Sequence, residues 1–224
     1  MLEELKEHVV RIAKQAQRAG LCKHKAGNVS AKDPETGYVC ITPSGVDREV
    51  LTADQVCVLD ENLNVIEGGK PSSESLMHLE CYKARPDINA IVHTHSTMAS
   101  AFACLNKPIP AFIFELFVFN LDNATIPVAP YKLPGTTDLA ESVANTVKKS
   151  DLVLMERHGT IAVGKDLDEA YENADYIEEL AHIYYYILTL NNGQDPKIFT
   201  EQDFKEWKYP DQIKKNEDCT GPQN

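Results

Sequence analysis

The 224-residue chain is 43% hydrophobic and 25% charged, a composition that fills one substantial core, because domains usually run to about 100–200 residues. Its 22 Lys+Arg against 34 Asp+Glu give a formal charge of −12 with no basic block, which excludes the electrostatic footprint of nucleic-acid binding. The apolar stretches are short and interrupted by charge or proline, and Met1-Leu2-Glu3-Glu4-Leu5-Lys6 is no basic region leading into an apolar one, so no membrane span or signal peptide is read and a soluble, cytoplasmic protein is expected.

Leu2, Leu5, Val9, Ile12, Ala13 and Ala16 recur at helical spacing before Gly20, which predicts a helix over 2–19. Ala26-Gly27-Asn28-Val29-Ser30 reads as a small glycine-rich turn, as does Thr42-Pro43-Ser44-Gly45-Val46. Tyr38-Val39-Cys40-Ile41-Thr42 and Val56-Cys57-Val58-Leu59 are β-rich, and the second leads through Asp60-Glu61-Asn62 to Val65-Ile66 like a hairpin. Pro71-Ser72-Ser73-Glu74 precedes an apolar-periodic run that Pro86 ends, so two serines and a glutamate sit at a helix N-terminus. Asn89-Ala90-Ile91-Val92-His93 reads as a buried strand feeding a helix over about 98–105. Thr136-Thr137-Asp138 caps a helix running to about Lys149, two strands follow at 152–155 and 160–164, and the longest helical pattern spans 167–191. One domain over 1–210 is expected, with 211–224 as a loose tail that has no core face. The six cysteines are scattered without a CxxC pair and read as reduced thiols, not as a disulfide framework or a zinc site.

His93-Thr94-His95 places two imidazoles two residues apart; strand side chains alternate, so both rings point to one face and can reach one ion. His158, in Glu156-Arg157-His158-Gly159 at the end of an apolar strand, supplies a third donor. Three protein ligands leave an open position, which is what a Lewis acid needs to polarise a carbonyl. His8, His24, His78 and His182 have no such context and read as structural or surface residues. Ser72 and Ser73 with Glu74 suit a phosphate at a helix N-terminus and suit an ordinary helix start equally well, since acids are stabilising there anyway. The two glycine-rich turns are of the sort that cradle phosphates.

Gly27-Asn28-Val29-Ser30, Thr42-Pro43-Ser44-Gly45, Pro71-Ser72-Ser73-Glu74, His93-Thr94-His95 and Arg157-His158-Gly159 occur in the order seen in class II aldolase/adducin domains, and the chain resembles that family over about residues 5–190. Its pattern is most similar to the L-fuculose-1-phosphate aldolase branch. The resemblance implies an α/β fold, a three-layer α/β/α sandwich around a mainly antiparallel sheet, assembled as a homotetramer with active sites between neighbouring subunits. It implies one Zn2+ per subunit on His93, His95 and His158, Glu74 as catalytic acid/base, and a substrate phosphate held by Gly27, Asn28, Ser44, Gly45, Ser72 and Ser73. The implied reaction is retro-aldol cleavage of a ketose 1-phosphate to dihydroxyacetone phosphate and an aldehyde, with a small-molecule sugar phosphate as the partner. Lys25 departs from the family pattern, adding a charge to the phosphate site or facing solvent. Phe114 stands where the family carries a tyrosine, and Tyr209 matches its C-terminal catalytic tyrosine. With Phe112, Phe114, Phe117 and Phe119 suggesting an apolar wall, a deoxy or methylthio tail is expected to fit as well as that of fuculose. A 4-epimerase, which carries aspartate in place of Glu74, a methylthioribulose-1-phosphate dehydratase, and a non-catalytic adducin-like module are the competing readings.

Overall fold

The computed structural model describes residues 2–208. The chain opens with α1 (Leu2–Arg18), whose Val9, Ile12, Ala13 and Ala16 stripe is buried as its spacing predicts. Four strands follow, β1 (Asn28–Lys32), β2 (Val39–Ile41), β3 (Cys57–Leu59) and β4 (Val65–Glu67), and then α2 (Ser75–Ala84). After these come β5 (Ala90–Thr94), α3 (Thr97–Cys104), the short β6 (Ile109–Pro110), β7 (Thr125–Ile126) and β8 (Val128–Ala129), and α4 (Thr137–Val147). The described chain is completed by β9 (Leu152–Met155), β10 (Gly159–Gly164), α5 (Leu167–Leu190) and α6 (Glu201–Glu206).

Eight strands form one sheet in the order β4-β3-β2-β1-β5-β10-β9-β8, and β6 pairs with β7 apart from it. Neighbours in the large sheet are antiparallel except β8 and β9, which run parallel. Alternation along each strand sorts its side chains between two cores. Ala90 and Val92 of β5 and Leu152 and Leu154 of β9 join a cluster with α1, α3 and α5, whereas Ile91, Val153 and Met155 join another with α2 and α4. Both faces of the sheet are therefore covered, and the loops at the end of the central strands are left free to build a cavity.

The expected helices stand within about two residues of their predicted bounds, as do the 57–59/65–67 hairpin and the strands at 90–94, 152–155 and 159–164. The segment at 26–30 differs. Its Asn28-Val29-Ser30 portion is not turn but the start of β1, because β2 and β5 pair with it on both sides and override the weak strand preference of Asn-Val-Ser-Ala-Lys. The sequence reading also lacked β6, β7, β8 and α6, elements of two to six residues. The predicted tail at 211–224 lies outside the described residues.

Candidate active site

The site is built on β5, the strand buried along its whole length at the middle of the sheet. His93 is inside the strand and His95 just past its end, so their rings share one side with Nε2 atoms 3.0 Å apart. His93 Nδ1 lies 2.7 Å from the Thr160 carbonyl of β10; the ring N–H goes there, and the Nε2 lone pair is left facing the centre. His158 arrives from the β9–β10 turn, where Arg157 takes a left-handed φ of 54°. Gly159 lets this turn close on β5, since a Cβ there would overlap the Thr94 carbonyl oxygen and press on the His95 ring. The three imidazoles are arranged like propeller blades, with centroids 4.9, 4.9 and 5.1 Å apart and planes inclined at 73–76°.

Glu74, at the N-terminal end of α2 and only 8% exposed, projects its carboxylate into this group. Oε2 lies 3.2 Å from His93 Nε2 and Oε1 lies 3.0 Å from His158 Nε2. Burial alone would raise this carboxyl, but the facing His93 and His158 outweigh it and hold Glu74 below the usual carboxylate range. Burial and the neighbouring His93 push His95 down to about 4, so it presents a neutral ring with a free lone pair. Three imidazole nitrogens converge so that their candidate donor atoms lie within 4.8 Å of one another. Glu74 Oε1 receives no well-formed hydrogen bond in its buried position, nor does His158 Nδ1. Convergent imidazole nitrogens beside a carboxylate oxygen are the donor set of a divalent cation, and His93, His95 and His158 fit one.

Behind Glu74 runs a buried polar chain. Asn28 Nδ2 donates to Glu74 Oε2 at 2.8 Å, and the Asn28 carbonyl oxygen accepts from His78 Nε2. His78 Nδ1 accepts from Ser30 Oγ at 2.6 Å, and Ser30 Oγ accepts from the Tyr82 hydroxyl at 2.8 Å. Burial pushes His78 down to about 3, so the ring is neutral and each donor in the series has one acceptor. The chain fixes which end of the Asn28 amide faces Glu74. His78 read as a structural residue; the signal that it serves the site is its i, i+4 spacing from Glu74, which puts both at one face of a helix start.

In front of Glu74 is a cavity of about 500 Å³. Gly27, Asn28, Ser44, Gly45, Ser72 and Ser73 all line it together with Glu74, His95 and His158, so the structure brings the sequence-derived residues to one place. Asn28 differs in one respect, since one of its two amide N–H groups goes to Glu74. The loops around 43 and 71 are stitched by a Pro43–Pro71 bridge and by Ser44 N–H to the Lys70 carbonyl at 2.9 Å. Gly27 sits at φ 74°, packed so closely under Cys22 and the His93 carbonyl that a side chain would collide with both. Lys25, exposed at the rim, both lines the cavity and meets solvent, and Arg48, Tyr131 and Arg157 line it as well. Arg48 and Tyr131 carried no motif by which the sequence could single them out.

Tyr209 lies outside the described residues. The four phenylalanines do not form one wall. Phe112 stacks on Tyr184, Phe117 on Phe199, Phe204 and Trp207, and Phe119 is buried against Tyr176, while Phe114 is 64% exposed. None of them lines the cavity.

A model of the Class II Aldolase and Adducin N-terminal domain family matches residues 7–185. The chain is 36% identical over 181 residues to a 5-methylthioribulose-1-phosphate/5-deoxyribulose-1-phosphate aldolase of Escherichia coli O45:K1, covering 81% of this chain and 83% of that relative. It is likewise 36% identical over 206 residues to a 5-deoxy-D-ribulose 1-phosphate aldolase of Bacillus thuringiensis serovar kurstaki, covering 92% and 94%. A solved L-fuculose 1-phosphate aldolase superposes with a TM-score of 0.83 at 34% identity, over 90% of this chain and 93% of that one. The chain therefore belongs to the class II aldolase/adducin family. Within that family it is an enzyme of the metal-dependent aldehyde-lyase class.

Proposed function

We propose that the chain cleaves a ketose 1-phosphate to dihydroxyacetone phosphate and an aldehyde, with one Zn2+ per subunit held by His93, His95 and His158. The observation that carries this reading is Glu74, buried between His93 and His158 on the floor of a cavity rimmed by three small-residue loops. A zinc ion, when bound there, supplies Lewis-acid polarisation of the substrate carbonyl. The remaining work belongs to the chain. As the C3–C4 bond breaks, its electron pair stays with the three-carbon fragment and the C4 hydroxyl loses its proton to become the aldehyde. Glu74 delivers a proton to C3 of that fragment and, in the synthetic direction, removes it. Asn28 steadies the carboxylate through one Nδ2–H and leaves the other for the substrate. The hydroxyls of Ser44, Ser72 and Ser73 and the backbone N–H groups of Gly27 and Gly45 take the phosphate, aided by the dipole of α2 and the nearby charge of Lys25. Tyr209 is assigned to proton exchange at the aldehyde oxygen.

Relatives named for 5-methylthioribulose, 5-deoxyribulose and fuculose phosphates make three aldehyde halves admissible. A deoxy or methylthio pentulose 1-phosphate is the second reading, favoured by the two relatives named for such substrates and by Phe114, which stands where the family carries a tyrosine supplied from a neighbouring subunit and cannot donate a proton. The fold is read as a three-layer α/β/α sandwich forming a single domain, supported by the two cores on opposite faces of the sheet. A homotetramer with the sites between subunits is supported by exposed apolar side chains at Leu105, Phe114, Val118 and Leu190. A cytoplasmic setting is supported by the five cysteines among the described residues, all unpaired and four of them buried. Stripping the enzyme of metal with a chelator abolishes dihydroxyacetone phosphate release, and Zn2+ added back restores it; full activity after verified metal removal would overturn the proposal.

A further inference from the structure

Arg48 follows the 43–46 loop in a short 3-10 turn, and its side chain folds back under the cavity, where it is only 3% exposed. One terminal nitrogen donates to the Val46 carbonyl at 2.8 Å and to Pro43 at 3.4 Å. The other donates to the Gly27 carbonyl at 2.6 Å and to Lys25 at 3.4 Å. A single guanidinium thus clasps the loop that carries Gly27 and Asn28 to the loop that carries Ser44 and Gly45. Every acceptor is a neutral backbone carbonyl. Asp47, the adjacent acid, spends its Oδ1 on Glu49 N–H at 2.9 Å and on the Gln17 amide at 3.3 Å. Among the described residues no carboxylate forms an ion pair with Arg48, although Lys6, also buried, has both Glu3 and Glu67.

A buried charge without a counter-ion is destabilising unless something completes it, and an arginine does not escape by losing its proton. The cavity it lines is shared with the small-residue loops that carry Gly27, Ser44, Gly45, Ser72 and Ser73. We infer that Arg48 is a positioning residue of the phosphate subsite: it holds the 25–28 and 43–46 loops in register and places an uncompensated positive charge beneath the substrate's phosphate, so that the anion is the missing partner. The inference rests on reading the cavity as a sugar-phosphate site. It predicts that Arg48 sets the preference for a phosphorylated over an unphosphorylated ketose, beyond any part it plays in holding the fold.

The test uses metal-loaded enzyme and two variants, Arg48→Met, which keeps the bulk and removes the charge, and Arg48→Lys, which keeps the charge and removes the planar fork. Titration calorimetry with inorganic phosphate reads the subsite directly, and kcat/KM for a ketose 1-phosphate relative to the same ketose unphosphorylated reads it in turnover. Arg48→Met is expected to weaken phosphate binding about tenfold or more and to lower that ratio by a similar factor, with Arg48→Lys in between. Phosphate affinity within about twofold of the parent enzyme, or equal losses for both ketoses, would overturn the inference, since a merely structural arginine moves both substrates alike. If Arg48→Met does not fold, Arg48→Lys decides, and unchanged phosphate affinity in it overturns the inference. If the parent enzyme cleaves no ketose phosphate yet binds phosphate through Arg48, the aldolase proposal fails and this inference stands. Cleavage by the parent enzyme with Arg48→Met unchanged is the reverse.

Discussion

Seen one residue at a time, the site consists of groups whose environments set their protonation. His78 is the clearest case, because burial, with a smaller push from His93 that Glu74 opposes, depresses it from 6.5 to about 3. Between those two values the unfolded chain binds a proton that the folded chain refuses. This contribution is therefore neutral above pH 6.5 and destabilises the fold progressively as pH falls toward 3, by about 1.4 kcal/mol per pH unit for one proton. Urea unfolding at fixed protein concentration should show the parent enzyme losing stability between pH 7 and 5 more steeply than His78→Gln. Parallel pH dependences would remove His78 from this account. The same substitution breaks the chain from Tyr82 to Asn28, so it should also lower kcat while leaving bound metal at one equivalent, measurable by metal analysis beside turnover.

At the scale of elements, the approach of β10 to β5 decides whether three histidines meet. Gly159→Ala is expected to push the β9–β10 turn away from Thr94, displacing His158 and weakening zinc binding by about tenfold or more, at a stability cost of about 1–3 kcal/mol. Competition with a chromogenic chelator reads the affinity, and parent-like affinity would show that the turn can shift without cost. On the other side of the centre, Ser96 does not cap α3 with its side chain. Glu178 of α5 reaches across instead, accepting from Met98 N–H at 2.9 Å and Ala99 N–H at 2.9 Å, and so ties the segment after His95 to the longest helix. Glu178→Ala should cost about 1 kcal/mol in thermal or urea unfolding, and a loss within experimental scatter would contradict that role. Helices and central strands were legible in the sequence because their apolar periodicity is long and regular, as in α1 and α5. The His-x-His pair was legible for the same reason, since strand alternation alone aims both rings one way. The strand at Asn28 was not, because its state comes from partners on both sides and not from its own residues. Arg48 and Glu178 were invisible because their decisive contacts, with Gly27 and Met98, span 21 and 80 residues. The His78 chain showed only its i, i+4 spacing from Glu74, since its bonds to Ser30 and Asn28 span 48 and 50 residues.

For the whole molecule, the charge of −12 is set against a cavity lined by Lys25, Arg48 and Arg157, so the one anionic side chain among its walls, Glu74, is surrounded by groups that attract an anion. No described helix is long and apolar enough to cross a membrane. The exposed Leu105, Phe114, Val118 and Leu190 are expected to be covered by neighbouring copies. Light scattering on the eluting peak should give four times the 25.0 kDa chain mass, and a monomer at micromolar concentration would contradict the assembly. The central claim is that Glu74 and the three histidines break a carbon–carbon bond. It is tested most directly by incubating zinc-loaded enzyme with a panel of ketose 1-phosphates, fuculose, 5-deoxyribulose and 5-methylthioribulose among them, and assaying dihydroxyacetone phosphate. The account predicts release from at least one of them, with Glu74→Gln retaining its zinc and losing about 100-fold or more in turnover. A phosphorylated product formed without cleavage, by epimerisation or loss of water, or undiminished release by Glu74→Gln, would contradict it.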